Sequence, residues 1–339
     1  MQTKDFITTK KSLSTIFVDG NYKFYNDLIS NHKHVIISSE NIFNKYPEIF
    51  VNKDYILVKD NEENKNLNTI EEIISQLIQF GADRNTYIIG IGGGVVCDMT
   101  GFVANIYMRG TKFGLIPTTL LSQIDAAIGG KNGVNFNGLK NFIGSFANPD
   151  FIIIDNIFIS TLPEIQYKSG LGEAIKYALI GNSNILNLLQ YNTLKILQRE
   201  PHTVAELVKE SIETKINYAG KDPEDTGIRH ILNFGHTIGH SIEIIDDIPH
   251  GLAVVKGINA AVDISTKIGL LEKQKAIAIK SILKKYDYDI SYSLNEEHLR
   301  ILSNDKKKGG NSIKMVLLED IGKPILKDFQ ISSIGDLIR

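Results

Sequence analysis

Short β-branched runs alternate with amphipathic stretches through the first half of the chain. HVIISS (34–39), YILV (55–58) and YIIGI (87–91) are apolar over a strand's length, whereas NTIEEIISQLIQFGA (68–82) spaces its apolar positions along one helix face. This rhythm predicts βαβ units and a parallel sheet. FIIID (151–155) predicts a further strand, and the stretch before it, from GGGVVCDMTGFVANIYMRG to FGLIPTTLLSQIDAAIGGKNGVNF, is the glycine-rich middle of the sheet domain. From about Leu162 the apolar period lengthens to about 3.6 in GLGEAIKYALIG, HTVAELVKESIETKINYAG and HGLAVVKGINAAVDISTKIGLL, so the second half is expected to be mostly α-helical.

The chain's 339 residues exceed one usual core, so two domains are expected, an α/β domain over 1–160 and an α-helical domain over 161–339, with a cleft. An apolar content of 42% against 22% charged argues against extensive disorder. Net charge is −2 and the longest basic block is Lys306-Lys307-Lys308, so no nucleic-acid partner is expected. Cys97 is the only cysteine, which precludes an intrachain disulfide; the N-terminal MQTKDFITTKKSLSTIF lacks a signal-peptide core, and no apolar run approaches the ~20 residues of a membrane span. A cytoplasmic protein without a membrane partner is the expectation.

Three glycines, Gly92, Gly93 and Gly94, stand where the strand YIIGI should give way to a helix. A helix N-terminus offers unpaired N–H groups and the positive end of a dipole, and glycines let a pyrophosphate approach. The turn points to a dinucleotide, but Val95 occupies the last position of GxGxxG, so it is not a standard Rossmann fingerprint. Asp98 follows four residues after the last glycine, where capping or dipole pairing would be its ordinary role.

Four of the eight histidines fall within RHILNFGHTIGHSIEIIDDIPHGLAVV. On one continuous helix Asn233, His236 and His240 would lie at i, i+3 and i+7 on a single face, with His230 outside it. Apolar helices rarely carry so many imidazoles, and a metal site is expected. His250 would join from the start of the next helix, and Glu173, a carboxylate inside the apolar GLGEAIKYALI, would be a further ligand. Spacing alone makes both His236 and His240 ligands.

Taken in order, GGGVVCDMTGFVA, RGTKFGLIPTTLLSQIDAAIGGKNGVN, GLKNFIGSFANP, GLGEAIKYALI, GIRHILNFGHTIGHSIE and PHGLAVV resemble the successive signature blocks of the 3-dehydroquinate synthase family, within the sugar-phosphate cyclases. The resemblance runs from about Asn41 to the lysines near 306. It implies a glycine-rich nucleotide-binding parallel sheet followed by a helical metal- and substrate-binding domain, with NAD and one divalent ion, zinc or cobalt. By matching positions it implies that Glu173, His236 and His250 bind the metal, while His240 joins a substrate and proton-transfer network. NAD would lie against Gly92, Gly93, Gly94, Val95 and Asp98, with Asn41, Glu62, Lys65, Thr118, Thr119, Lys140, Phe158 and Thr161 completing its site. Substrate contacts would be Asp125, Lys131, Lys140, Asn141, Lys176, Lys215, Arg229, Asn233 and His240, with Arg109 reaching in from a neighbour in a homodimer.

The implied substrate is 3-deoxy-D-arabino-heptulosonate 7-phosphate and the product 3-dehydroquinate, on the shikimate route to aromatic amino acids. Transient oxidation by NAD would acidify a neighbouring C–H, phosphate would leave, the ketone would be reduced again, and an intramolecular aldol step would close the ring. An anionic phosphate and carboxylate need several cations, and Lys131, Lys140, Lys176, Lys215 and Arg229 all sit beside glycine or apolar motifs, although each lysine alone would by default be a solvated surface charge. Three rivals compete with this reading: a sister cyclase such as 2-deoxy-scyllo-inosose synthase, a metal-dependent polyol dehydrogenase, and a degenerate non-catalytic protein. Retention of Lys215, Arg229 and Asn233 together disfavours the first, the lysine-rich GGKNGVN to LKN segment the second, and the complete set of chemical positions the third. The chain departs from the family pattern at Asn132 (usually GGKTG), at Leu252 (usually HGEAV), and at Ile165 and Gln166, which are expected beside the cofactor wall.

Overall fold

The computed structural model describes residues 2–9, 12–30, 32–304 and 312–338, so the lysines at 306–308 lie outside the described residues. The chain divides into two compact units, Met1–Leu162 and Pro163–Arg339. Among the described residues no helix is long and apolar enough to cross a membrane.

The first unit contains β1 (Gln2–Thr9), β2 (Ser12–Val18), β3 (His34–Ser39), β4 (Asp54–Val58), β5 (Tyr87–Gly92), β6 (Phe113–Pro117), β7 (Lys131–Phe136), β8 (Leu139–Phe146) and β9 (Phe151–Ile153). One sheet runs in the order β1-β2-β9-β6-β5-β3-β4, parallel except for the antiparallel β1–β2 pair. β7 and β8 form a separate antiparallel hairpin. The strands at 34–39, 54–58, 87–92 and 151–153 and the helix Leu67–Gln79 follow the apolar pattern closely. β1, β2 and the β7–β8 hairpin go beyond that pattern, because QTKDFITT and LKNFIGSF carry too many polar residues to declare themselves as strands.

β5 is buried along its whole length, as expected of a central parallel strand covered on both faces. Ile89 and Ile91 join a core with Tyr22, Tyr25, Ile36, Ile116, Phe151 and Ile153. Alternation turns Gly90 to the opposite face, where Thr100 of the helix Gly94–Ile106 comes so close that a Cβ on Gly90 would lie 2.6 Å from its hydroxyl. The chain steps from β3 out to β4 and then returns to β5 on the other side of β3, making a topological switch point where ligands of open α/β sheets bind.

The second unit is mostly helical. It contains the helices Glu164–Leu179, Ser183–Tyr191, Pro201–Lys221, His236–Asp246, His250–Lys267 and Lys273–Lys285, and one antiparallel hairpin, β10 (Ser312–Asp320) with β11 (Lys323–Gln330), which the periodicity did not predict. The helix His250–Lys267 is buried over most of its circumference and packs against Glu164–Leu179, His236–Asp246 and β10. A Cβ on Gly251 would lie 1.8 Å from the Ser169 carbonyl oxygen. That close crossing, one turn before Glu173, brings Glu173 beside His250.

One expectation is corrected. Asn233 does not share a continuous helix with His236 and His240: it ends a 3-10 helix, Ile228–Asn233, and Gly235, at φ 80°, breaks the backbone before a new α-helix starts at His236. A left-handed glycine is a helix punctuator, and here it outweighs the i, i+3, i+7 spacing.

Candidate active site

The candidate residues fall into two clusters, one in each unit. In the second unit the Glu173 carboxylate is fully buried, and its Oε1 lies 3.5 Å from His236 Nε2 and 3.4 Å from His250 Nε2. These three residues offer donor atoms within 4.8 Å of one another, an O, N, N set of the kind that holds a catalytic zinc or cobalt with a position left open. Both rings have their other nitrogen occupied: His236 Nδ1 lies 3.1 Å from the Phe234 carbonyl oxygen and His250 Nδ1 2.9 Å from Glu243 Oε2. Glu173 Oε2 is ion-paired with Lys176, itself buried and lying 4.8 Å over the Tyr177 ring.

Burial holds His236 well below the ordinary imidazole value, and Glu173 only partly offsets it. Burial also opposes charge on His250, but there the hydrogen bonds to Glu173 and Glu243 prevail and raise it to about 10. Without a metal, these shifts favour the charged form of His250 and disfavour that of His236. His240 is exposed; its ring centroid stands 5.3 Å from that of His236 and 5.8 Å from that of His250.

Among the described residues the buried lysines and arginines are Lys65, Lys176, Lys215 and Arg229. All four belong to the candidate set, and a buried cation requires an anion or a ligand to compensate its desolvation. Lys215 comes from the helix Pro201–Lys221 and Arg229 from the 3-10 helix that follows. The Arg229 loop is organised by Asp222, whose carboxylate accepts the backbone N–H of Thr226 at 3.0 Å, Gly227 at 2.6 Å and Arg229 at 3.1 Å. Burial would raise Asp222, but these N–H donors pull it down to about 2. The Arg229 guanidinium donates to the Pro223 carbonyl at 3.1 Å, and Asn233 is exposed at the end of the same turn.

In the first unit, every candidate cofactor residue except Lys140 follows the carboxyl end of a parallel strand. Asn41 comes after β3, Glu62 and Lys65 after β4, the Gly92–Asp98 segment from β5, Thr118 and Thr119 after β6, and Phe158 and Thr161 after β9. The first turn of the helix Gly94–Ile106 has no side-chain cap, so its N–H groups suit a pyrophosphate. Gly92 also has a packing reason of its own, since a Cβ there would lie 2.6 Å from that of Val96. Lys65 Nζ lies 2.5 Å from both Asp98 Oδ2 and Asn141 Oδ1. Burial raises the Asp98 carboxyl, and Lys65 opposes that rise.

Several links went unread in the sequence. Asn135 accepts the Asn141 N–H at 2.8 Å and donates to Glu62 Oε1 at 2.9 Å, tying the β7–β8 hairpin to the turn after β4. Asn41 donates to Asp60 at 3.0 Å, and Thr161 meets the Tyr46 hydroxyl at 2.7 Å. Phe158 is packed in the core against Tyr22 and Tyr46. Lys131 and Lys140 are exposed on the hairpin, and Asp125 lies in a π-helical turn, Ser122–Ala126, near enough to Asp98 to raise it. Arg109 is exposed on a turn where Met108, at φ 49°, and Arg109, at φ 67°, are both left-handed. Of the departures, Ile165 and Gln166 are exposed at the first turn of the helix Glu164–Leu179 and Leu252 is half-buried. Asn132 is buried, and its amide donates to the carbonyls of Gly130 at 3.0 Å and Ala147 at 2.8 Å.

Comparison with known proteins agrees with this architecture. The family model described as 3-dehydroquinate synthase N-terminal matches residues 55–169, and 3-dehydroquinate synthase C-terminal matches 170–308. The 3-dehydroquinate synthase of Clostridium tetani is 39% identical over 328 residues, 92% of this chain and 88% of that protein. Among solved structures, a 2-deoxy-scyllo-inosose synthase complexed with carbaglucose-6-phosphate, NAD+ and Co2+ superposes with a TM-score of 0.85 at 24% identity, covering 100% of this chain and 99% of the other. The 2-epi-5-epi-valiolone synthase of Streptomyces hygroscopicus subsp. jinggangensis, with NAD+ and Zn2+ bound, gives 0.87 at 23% identity over 97% and 96%. These two establish a shared fold; the models and the Clostridium relative establish that the chain belongs to the 3-dehydroquinate synthase family.

Proposed function

We propose that this chain is a 3-dehydroquinate synthase that converts 3-deoxy-D-arabino-heptulosonate 7-phosphate to 3-dehydroquinate and phosphate. The observation that carries the reading is the Glu173, His236 and His250 donor set beside the buried Lys176, in a chain 39% identical to a relative of that name. When bound, NAD supplies reversible oxidation of a substrate carbinol, and a divalent ion, zinc or cobalt, supplies polarisation of its oxygen.

The chain's residues then have distinct tasks. Glu173, His236 and His250 would hold the ion. Asn41, Glu62, Lys65, Gly92, Gly93, Gly94, Val95, Asp98, Thr118, Thr119, Lys140, Phe158 and Thr161 would hold NAD, with Asp98 and Asp125 at its nicotinamide end. Lys131, Lys140, Asn141, Lys176, Lys215, Arg229 and Asn233 would bind the substrate's carboxylate and phosphate, and stabilise the negative charge that builds as phosphate leaves. His240, exposed beside the metal ligands, would relay protons through its ring nitrogens. The reading includes a homodimer in which Arg109 completes the partner's site, supported by its exposure, and a cytoplasmic setting.

The test offers purified protein, loaded with NAD and zinc or cobalt, 3-deoxy-D-arabino-heptulosonate 7-phosphate and glucose 6-phosphate separately. Cyclisation of the former, reduced about 100-fold or more in kcat/KM by Lys215→Ala, is expected. Cyclisation of glucose 6-phosphate alone would move the chain to the sister cyclases.

A further inference from the structure

The metal-ligand reading leaves Glu243 without a role. Its carboxylate is 13% exposed, and Oε2 lies 2.9 Å from His250 Nδ1. Glu243 shares the helix His236–Asp246 with His236, seven residues earlier, and the two lie on one face. A short turn through Asp247, left-handed at φ 49°, and Pro249 brings the chain back so that His250 opens the next helix against Glu243.

We propose that Glu243 is a positioning residue for the metal: it accepts the Nδ1–H of His250 and so fixes Nε2 as the ligand atom. The proposal rests on the assignment of Glu173, His236 and His250 as metal ligands. A neutral imidazole has one N–H, and whichever nitrogen keeps it cannot bind a metal. Glu243 settles that choice, and it points Nε2 at Glu173 Oε1, 3.4 Å away. His236 is held in the same sense by the Phe234 carbonyl at 3.1 Å. The two histidines differ in that the partner of His250 is anionic. His250 is the first residue of a helix, where the dipole disfavours a cation, and a carboxylate on its far nitrogen offsets that field and makes Nε2 a stronger donor.

Glu243 also lies with His240 and His250 in a second group of potential donors within 4.8 Å. The two groups make opposite demands on His250: if Nδ1 donates to Glu243 it is not available to a metal, and Nε2 is left facing Glu173 Oε1.

The experiment measures binding of Zn2+ or Co2+ alone to Glu243→Ala, Glu243→Gln, His250→Ala and the parent, by competition with a chromophoric chelator, with the visible absorption of the Co2+ forms. Glu243→Ala should bind about 10–100-fold more weakly, with unchanged Co2+ bands at saturation. Glu243→Gln, which keeps an acceptor and the side chain's shape, should recover part of the loss, and His250→Ala should lose more than either. If His250→Ala binds poorly while Glu243→Ala matches the parent within about twofold, the role of Glu243 is wrong and the ligand set stands. If His250→Ala itself binds normally, the ligand set is wrong. Co2+ bands shifted to a new coordination in Glu243→Ala would make Glu243 a ligand and overturn the positioning role.

Discussion

Asp222 accepts the backbone N–H of Arg229 at 3.1 Å, so the carboxylate and the buried arginine are tied through the main chain, while the guanidinium donates to the Pro223 carbonyl. Asp222→Asn weakens the N–H contacts that fold this loop, at a cost of about 1–3 kcal/mol in stability. If Arg229 holds an anionic substrate group, KM should rise more than kcat falls; steady-state kinetics with a thermal melt would show it. The group's folded value, about 2, lies below its ordinary one, so its contribution is present above about pH 4 and is lost as pH falls towards 2. The acid limb of a pH–stability curve should flatten in Asp222→Asn.

Lys65, which is buried, and Asp98, which is partly buried, form an ion pair at 2.5 Å. Lys65→Met leaves a carboxylate without its cation, and should cost about 3–5 kcal/mol while abolishing NAD binding. The double variant with Asp98→Asn should regain most of the stability and none of the binding. Denaturant melts with NAD titration separate the two effects, and a double variant as unstable as the single one would contradict the pairing.

Metal uptake should expel a proton. In the metal-free protein His250 is raised to about 10 and His236 lowered, so near neutral pH about one proton leaves when Nε2 takes a metal. Calorimetric titration with Zn2+ in buffers of different ionisation enthalpy counts it. The raised folded value of His250 stabilises the metal-free protein fully below about pH 6.5, and that contribution is lost as pH climbs through about 10. The metal-free protein should therefore soften in alkali more than the metal-loaded one.

Asn132→Thr restores the residue usual in the family but forfeits the amide's bonds to Gly130 and Ala147. It should destabilise this chain by about 1–3 kcal/mol, read from a chemical melt. A Cβ on Gly101 would lie 1.9 Å from Asn132 Oδ1, so the asparagine fills space that this glycine leaves. A stabilised Asn132→Thr protein would show that the departure is uncompensated.

The central parallel strand β5 was legible because it is buried along its whole length and so reads as an unbroken apolar run. The hairpins were less so: β8 is largely exposed, and pairing rather than apolar content makes it a strand. Histidine spacing alone offered His236 and His240 as a ligand pair, and it placed Asn233 on their helix because periodicity does not register a left-handed Gly235. Links such as Glu243 to His250 and Asn135 to Asn141 join segments through side-chain hydrogen bonds, which leave no periodic trace. Burial of Lys65, Lys176, Lys215 and Arg229 was likewise hidden, since a lysine on an amphipathic segment is by default solvated.

The most direct test of the proposed activity counts products. Metal-loaded protein with catalytic NAD should release one phosphate for each 3-dehydroquinate formed from 3-deoxy-D-arabino-heptulosonate 7-phosphate, with no net absorbance of NADH, because the hydride returns to the substrate within each turnover. Stoichiometric NADH accumulation without phosphate release would instead make the chain a dehydrogenase and contradict the account.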